Sequence, residues 1–150
     1  MGTFKNQLLV FGAQPGTTKL VHLFNPSTRA VKTIQYNTDI KKLLYPAVLD
    51  GKLYFVVSST AYGDEIGVYD EASNTVTRIT DICPGDRNGV NGALWPYNKK
   101  LFFVGANKKE PIQQNQAYDL LSFNPANNTT TLVYDFKNKN ALVRLPYKVG

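Results

Sequence analysis

One short apolar run occurs three times, and this repetition limits the fold more than any other feature. Leu8-Leu9-Val10-Phe11-Gly12, Leu53-Tyr54-Phe55-Val56-Val57 and Leu101-Phe102-Phe103-Val104-Gly105 stand 45 and then 48 residues apart. A polar turn introduces each: Lys5-Asn6-Gln7, Asp50-Gly51-Lys52 and Asn98-Lys99-Lys100. Self-similarity at such a period points to stacked supersecondary units.

Three further features keep the same step. An aromatic residue closes a strand-like run before a turn, at Phe24-Asn25-Pro26, Tyr69-Asp70-Glu71 and Phe123-Asn124-Pro125. Asn or Asp opens such turns with its side chain, and Pro presets φ. A second run begins seven residues after each aromatic: Val31 to Ile34, Val76 to Ile79 and Thr130 to Val133. Its alternation reads as a half-buried strand. Proline motifs follow at Leu44-Tyr45-Pro46, Leu94-Trp95-Pro96 and Arg144-Leu145-Pro146. A proline cannot donate to a central ladder, so these predict the start or rim of a strand.

Each unit thus predicts four strands, A to D. A holds the proline, B is the apolar run, C ends at the aromatic, and D follows. Tight hairpins join A to B and C to D, with Asp50-Gly51 the strongest hairpin dipeptide. The B–C loops are expected at 13–19, 58–65 and 106–118, and the D–A links at 36–43, 81–91 and 135–140. Nine Tyr, eight Phe and one Met agree with strands rather than helices. The expected fold is all-β: one domain, 1–150, of three four-stranded β-propeller blades at about 4–43, 44–92 and 93–136, with 141–150 a closing strand. Strand B, apolar on both faces, suits a strand between neighbouring blades. A β-sandwich or small barrel is the rival architecture.

The middle unit carries a family resemblance. Leu49-Asp50-Gly51-Lys52-Leu53-Tyr54-Phe55, Gly63-Asp64-Glu65-Ile66 and Ile79-Thr80-Asp81-Ile82-Cys83-Pro84-Gly85 resemble the ELWxxDGT-type repeat. Glu65-Ile66-Gly67-Val68 stands where that repeat has Glu-Leu-Trp. The Phe-Asn-Pro turns resemble those of kelch-like blades. Both resemblances imply a propeller, and neither implies a catalytic or binding residue.

The repeat phase predicts strands in the order BCD, ABCD, ABCD, A. The first B, with only 1–4 before its turn, is expected to lack an A, and the final A, Ala141 to Lys148, to lack a B. Propellers close with roughly four to eight blades. Two copies exchanging these strands make a six-bladed homodimer. Its interface is expected at Leu8, Val10, Leu142, Arg144, Leu145 and Tyr147. A part of a longer propeller is the rival reading.

Catalytic and metal patterns are weak. His22 is the only histidine and lies in an apolar strand, so it reads as a half-exposed strand residue. Asp64 and Glu65, adjacent on a strand, point to opposite faces. Asp81, Asp86 and Asn88 lack the spacing of an EF-hand loop and read as turn chemistry. No GxGxxG or P-loop occurs, so no cofactor is expected. Lone Cys83 excludes an intrachain disulfide and favours a cytoplasmic or particle-associated setting. The start of the chain has no signal-peptide pattern, and no run is long enough for a membrane span.

The expectation is therefore a non-enzymatic binding or assembly module that presents loops to a glycan or protein ligand. Tyr62, Asp64, Asp86, Arg87, Asn88 and Trp95 are the candidate contacts. A flat ring beside Asn and Asp would suit a sugar, and packing between blades is the competing role for Trp95. The alternatives are a propeller-type hydrolase or lyase with a site on the ring axis, and a nucleic-acid surface. The net charge of +6 and the paired lysines suit the last, and equally suit solubility and blunted strand edges.

Overall fold

The computed structural model describes residues 2–12, 20–106 and 119–136. They form an all-β protein of three sheets, with no helix and no closed barrel. Sheet one holds β1 (Gly2–Phe4), β2 (Gln7–Gly12), β3 (Leu20–Phe24) and β4 (Val31–Thr33) in that order. Sheet two holds β5 (Gln35–Tyr36), β6 (Ile40–Leu49), β7 (Lys52–Ser59), β8 (Gly63–Asp70) and β9 (Thr75–Arg78), ordered β5-β9-β8-β7-β6. Sheet three holds β10 (Trp95–Tyr97), β11 (Lys100–Gly105), β12 (Asp119–Asn124) and β13 (Thr129–Tyr134) in order. All pairings are antiparallel except β5 with β9. No helix of the described residues is long and apolar enough to cross a membrane.

The repeat is written into the backbone angles. The first hairpin of every sheet turns on two left-handed residues: Lys5 and Asn6 (φ 47° and 61°), Asp50 and Gly51 (49° and 72°), Asn98 and Lys99 (45° and 59°). Two consecutive positive φ values mark a type I′ turn, whose twist matches the strands it joins. In the second turn, the Asn25 Oδ1 accepts the Ser27 and Thr28 N–H groups, and the Asp70 carboxylate accepts those of Ala72 and Ser73. The Asn124 Oδ1 accepts that of Ala126. The Ser73 hydroxyl, with the two N–H groups, holds the Asp70 carboxyl below the usual range.

Five residues past each aromatic, the chain turns left-handed again, at Arg29, Asn74 and Asn128 (φ 59°, 55° and 55°). Asn tolerates this region and Arg does not. Arg29→Asn is therefore expected to stabilise the protein by about 0.5–1 kcal/mol in urea unfolding.

Sheet two lies between the other two. Leu53, Phe55 and Val57 of β7 join Phe4, Leu9 and Val21 of sheet one in one core. Tyr54 and Val56, on the opposite face, join Leu101, Phe103 and Leu121 of sheet three in another. β7 is thus buried on both faces, and each large side chain adds about 1.5–3 kcal/mol. The outer faces of the flanking sheets differ. On sheet one, register places Leu8, Val10, Phe24 and Val31 on one face, where Val10 is 38% and Val31 63% exposed. His22 lies there too, its Nδ1 3.0 Å from the Thr33 Oγ1. On sheet three, Tyr97 is 72% exposed and meets Phe102 edge to face at 6.0 Å.

Several expectations are corrected. The first B strand does have an A: β1 pairs Gly2, Thr3 and Phe4 with Leu9, Leu8 and Gln7. Pairing with β1 ends at Leu9, so the outer edge of Val10 to Gly12 has no strand partner among the described residues. Pro46 lies inside β6, not at its start, because the register slips between Leu44 and Ala47 and β6 is an edge strand. β6 also runs through the expected unit boundary at 43/44. The second B–C loop shrinks to residues 60–62, because β7 and β8 extend into it. The first D–A link is largely strand, comprising β5 and the start of β6. The closing strand at 141–150, with Leu142, Arg144, Leu145 and Tyr147, lies outside the described residues.

Candidate functional site

The link from β9 to β10 folds back and ties sheets two and three together. The Gly89 and Val90 N–H groups both donate to the Asp64 carbonyl at 2.9 Å. The Asn91 N–H donates to the Val104 carbonyl, and the Ala106 N–H to the Gly89 carbonyl. Glycine permits the approach: a Cβ at Gly63 (φ +64°) would lie 2.4 Å from the Arg87 carbonyl carbon.

This stitching gathers four of the six candidate ligand contacts at one corner of sheet two. The Asp64 N–H donates to the Asn88 Oδ1 at 3.0 Å, and Arg87 lies against Gly63. Tyr62, in the β7–β8 turn, is covered on one ring face by the Arg78 guanidinium, 3.7 Å from the centroid. Arg78 Nη1 also donates to the Thr80 carbonyl. The expectation of a flat ring free to stack on a sugar is thus corrected for that face of Tyr62. The Asn88 oxygen is committed to the backbone. Arg87 and Asp86 remain exposed. Trp95 stands apart on β10, opposite Phe102, and among the described residues its buried indole N–H has no partner.

Glu65 is the residue that sequence reasoning missed. It is fully buried on β8. Its carboxylate accepts the Thr80 hydroxyl at 2.6 Å, the Ile82 N–H at 3.0 Å and the Cys83 N–H at 3.3 Å. The Thr80 hydroxyl in turn accepts the Ile66 N–H at 2.9 Å. Burial pushes the carboxyl up from its ordinary value, Asp81 adds to the rise, and the three hydrogen bonds oppose it. Asp119 is its counterpart in sheet three. It is also buried, and accepts the Phe136 N–H at 3.1 Å. Both carboxylates accept backbone N–H groups of the link that leaves the fourth strand. The only advance signal was a Glu immediately before the apolar half of the strand, Ile66 to Tyr69.

Beyond the anchored link lies a cavity of about 620 Å³, bounded by residues 79–82 on one side and β13 on the other. Its floor includes Ala106 and Leu121. No group of three or more His, Cys, Asp or Glu suited to a metal occurs among the described residues.

No family model matches this chain. No curated protein matches it either. Solved structures do share its fold. One is a mutant puromycin hydrolase in complex with PGG, with a TM-score of 0.59 and 14% identity over 85% of this chain. The likeness at that identity is one of fold alone, and this chain spans only 19% of the hydrolase.

Proposed function

We propose that the three sheets are successive blades of a β-propeller, and that the protein is a non-enzymatic binding or assembly module whose ring a second copy completes. The observation that carries this reading is the contrast between the sheets. The central strand β7 of sheet two is buried on both faces, whereas sheet one exposes Val10 and Val31 on its outer face and sheet three exposes Tyr97. Such faces mark interfaces. Three blades are too few for a ring, and two copies supply six. The repeated type I′ and aromatic turns support equivalent units. The corner of Tyr62, Asp64, Arg87 and Asn88, built on a rigid sheet end, is the surface offered to a glycan or protein ligand.

Light scattering across a concentration series tests the ring. A mass of twice 16.7 kDa is expected, and Val10→Lys should shift it toward the monomer. A monomer at every concentration would remove the shared ring. A glycan array tests the corner, with Arg87→Ala expected to lower any signal. Turnover of a substrate in a general hydrolase panel would overturn the non-enzymatic reading.

A further inference from the structure

Sheet two has a fifth strand with no counterpart in sheet three among the described residues. After β4 the chain crosses to sheet two, where Gln35 and Tyr36 pair in parallel with Thr75 and Val76. The Gln35 N–H donates to the Asn74 carbonyl at 3.0 Å and the Asn37 N–H to the Val76 carbonyl at 3.4 Å. Tyr36 packs on the core between sheets one and two.

The link after β9 starts the same crossing toward sheet three. The Ile79 N–H donates to the Ile66 carbonyl just as the Ile34 N–H donates to that of Val21, both at 2.9 Å. In this register Thr80 and Asp81 stand where Gln35 and Tyr36 stand. The Asn128 and Thr130 carbonyls correspond to those of Asn74 and Val76. The expected pairing is not made, because the Ile82 N–H, counterpart of the Asn37 N–H, goes to Glu65 instead. The Thr80 hydroxyl and the Cys83 N–H follow it. At the place of Glu65, sheet one has Leu20, which offers no acceptor. Two acidic side chains thus go with the open edge: Glu65 takes the Ile82 N–H, and exposed Asp81 stands at the place of the core-packed Tyr36, with the cavity between link and β13.

The edge left open suits pairing. β13 is exposed along its whole length, and Thr129-Thr130-Thr131-Leu132-Val133-Tyr134 is β-prone, with no charge and no proline. Natural edges are usually blunted by such residues. β4, the corresponding strand of sheet one, does carry a charge, Lys32.

We propose that this cavity is a β-addition slot, which takes an extended peptide segment of a partner protein in parallel with β13. β5 is the template for the occupant. It needs free backbone N–H groups facing the Asn128 and Thr130 carbonyls, and an apolar side chain at the place of Tyr36, toward Ile82 and Leu121. Main-chain hydrogen bonds supply affinity and the apolar pocket supplies selectivity. The inference does not rest on ring closure, which a mass measurement reads separately.

The test adds a capped peptide of residues 34–38, Ile-Gln-Tyr-Asn-Thr, to the dilute full-length protein labelled with nitrogen-15. The Thr130 amide is expected to shift saturably and to gain protection from hydrogen exchange. By the β9 register its N–H points away from β12, so Thr130→Pro removes the outer donor and spares the ladder. That variant should bind the peptide about tenfold more weakly or worse, with unchanged circular dichroism. An unperturbed Thr130 amide at millimolar peptide, or undiminished binding by Thr130→Pro, would overturn the proposal. So would Thr130 protection in dilute wild-type protein, with the chain filling its own slot, or protection that grows with protein concentration, with a second copy as occupant.

Discussion

Glu65→Ala is expected to lower folding stability by about 3–5 kcal/mol, read from the urea midpoint at constant slope. The substitution removes one acceptor and strands three buried donors: the Thr80 hydroxyl and the Ile82 and Cys83 N–H groups. Each unsatisfied donor costs about 1–3 kcal/mol unless the link moves to reach water. The Thr80 hydroxyl is also fixed by the Ile66 N–H, so it cannot turn away freely. Glu65→Gln keeps the volume and one carbonyl oxygen, and should cost about 1–3 kcal/mol. Asp119→Ala strands the Phe136 N–H and should cost only about 1 kcal/mol. A loss under about 1 kcal/mol for Glu65→Ala would mean that the carboxylate does not hold the link.

The same side chain sets a pH dependence. Its folded carboxyl is raised, chiefly by burial, above the ordinary 4.5. A raised folded value means that the folded protein binds a proton that the unfolded chain has not yet taken up. The stability linked to this proton is complete below the ordinary value and is lost as pH rises through the folded one. The stability of wild type relative to Glu65→Gln should therefore improve as pH falls from neutrality toward 4.5. A constant difference across that window would show that Glu65 titrates as an ordinary exposed glutamate.

The repeat was legible because its signals are local. Asp50-Gly51 declares a hairpin within two residues, and the apolar runs declare the buried strands between turns. What stayed hidden depends on distant partners. β1 is three residues long and carries too little pattern to stand out. β5 pairs in parallel with a strand about 40 residues later, which no local alternation reveals. Glu65 was read with Asp64 as neighbouring strand carboxylates, yet its partners lie 15–18 residues ahead in a link without periodicity. Tyr62, Asp64, Arg87 and Asn88 were singled out by their place in expected loops, and the structure gathers them at one corner, with Asp64 on β8 rather than in the loop. That Arg78 lies over Tyr62 depends on how the β7–β8 turn folds onto β9.

The second large effect is expected at Gly105, with Gly12 as its control. The two close equivalent apolar runs and look alike in sequence. Neither has a positive φ, so the difference between them is purely one of space. A Cβ on Gly105 would lie 2.1 Å from the Gly89 carbonyl oxygen, a backbone atom held by the Ala106 N–H. Val90 bridges to Gly105 itself, so the link cannot yield without losing the seam between sheets two and three. Gly105→Ala should thus cost about 3 kcal/mol, a fall in thermal midpoint on the order of 10 °C. In Gly12→Ala the nearest atom among the described residues is His22 Nε2 at 3.2 Å, the far end of a side chain rather than backbone. Its effect should stay within about 0.5 kcal/mol. Equal losses at both sites would place the cost in the strand backbone and leave the link–strand seam without energetic weight. Unequal losses in the stated order would show that the packed link adds to the shared core in holding sheet three against sheet two.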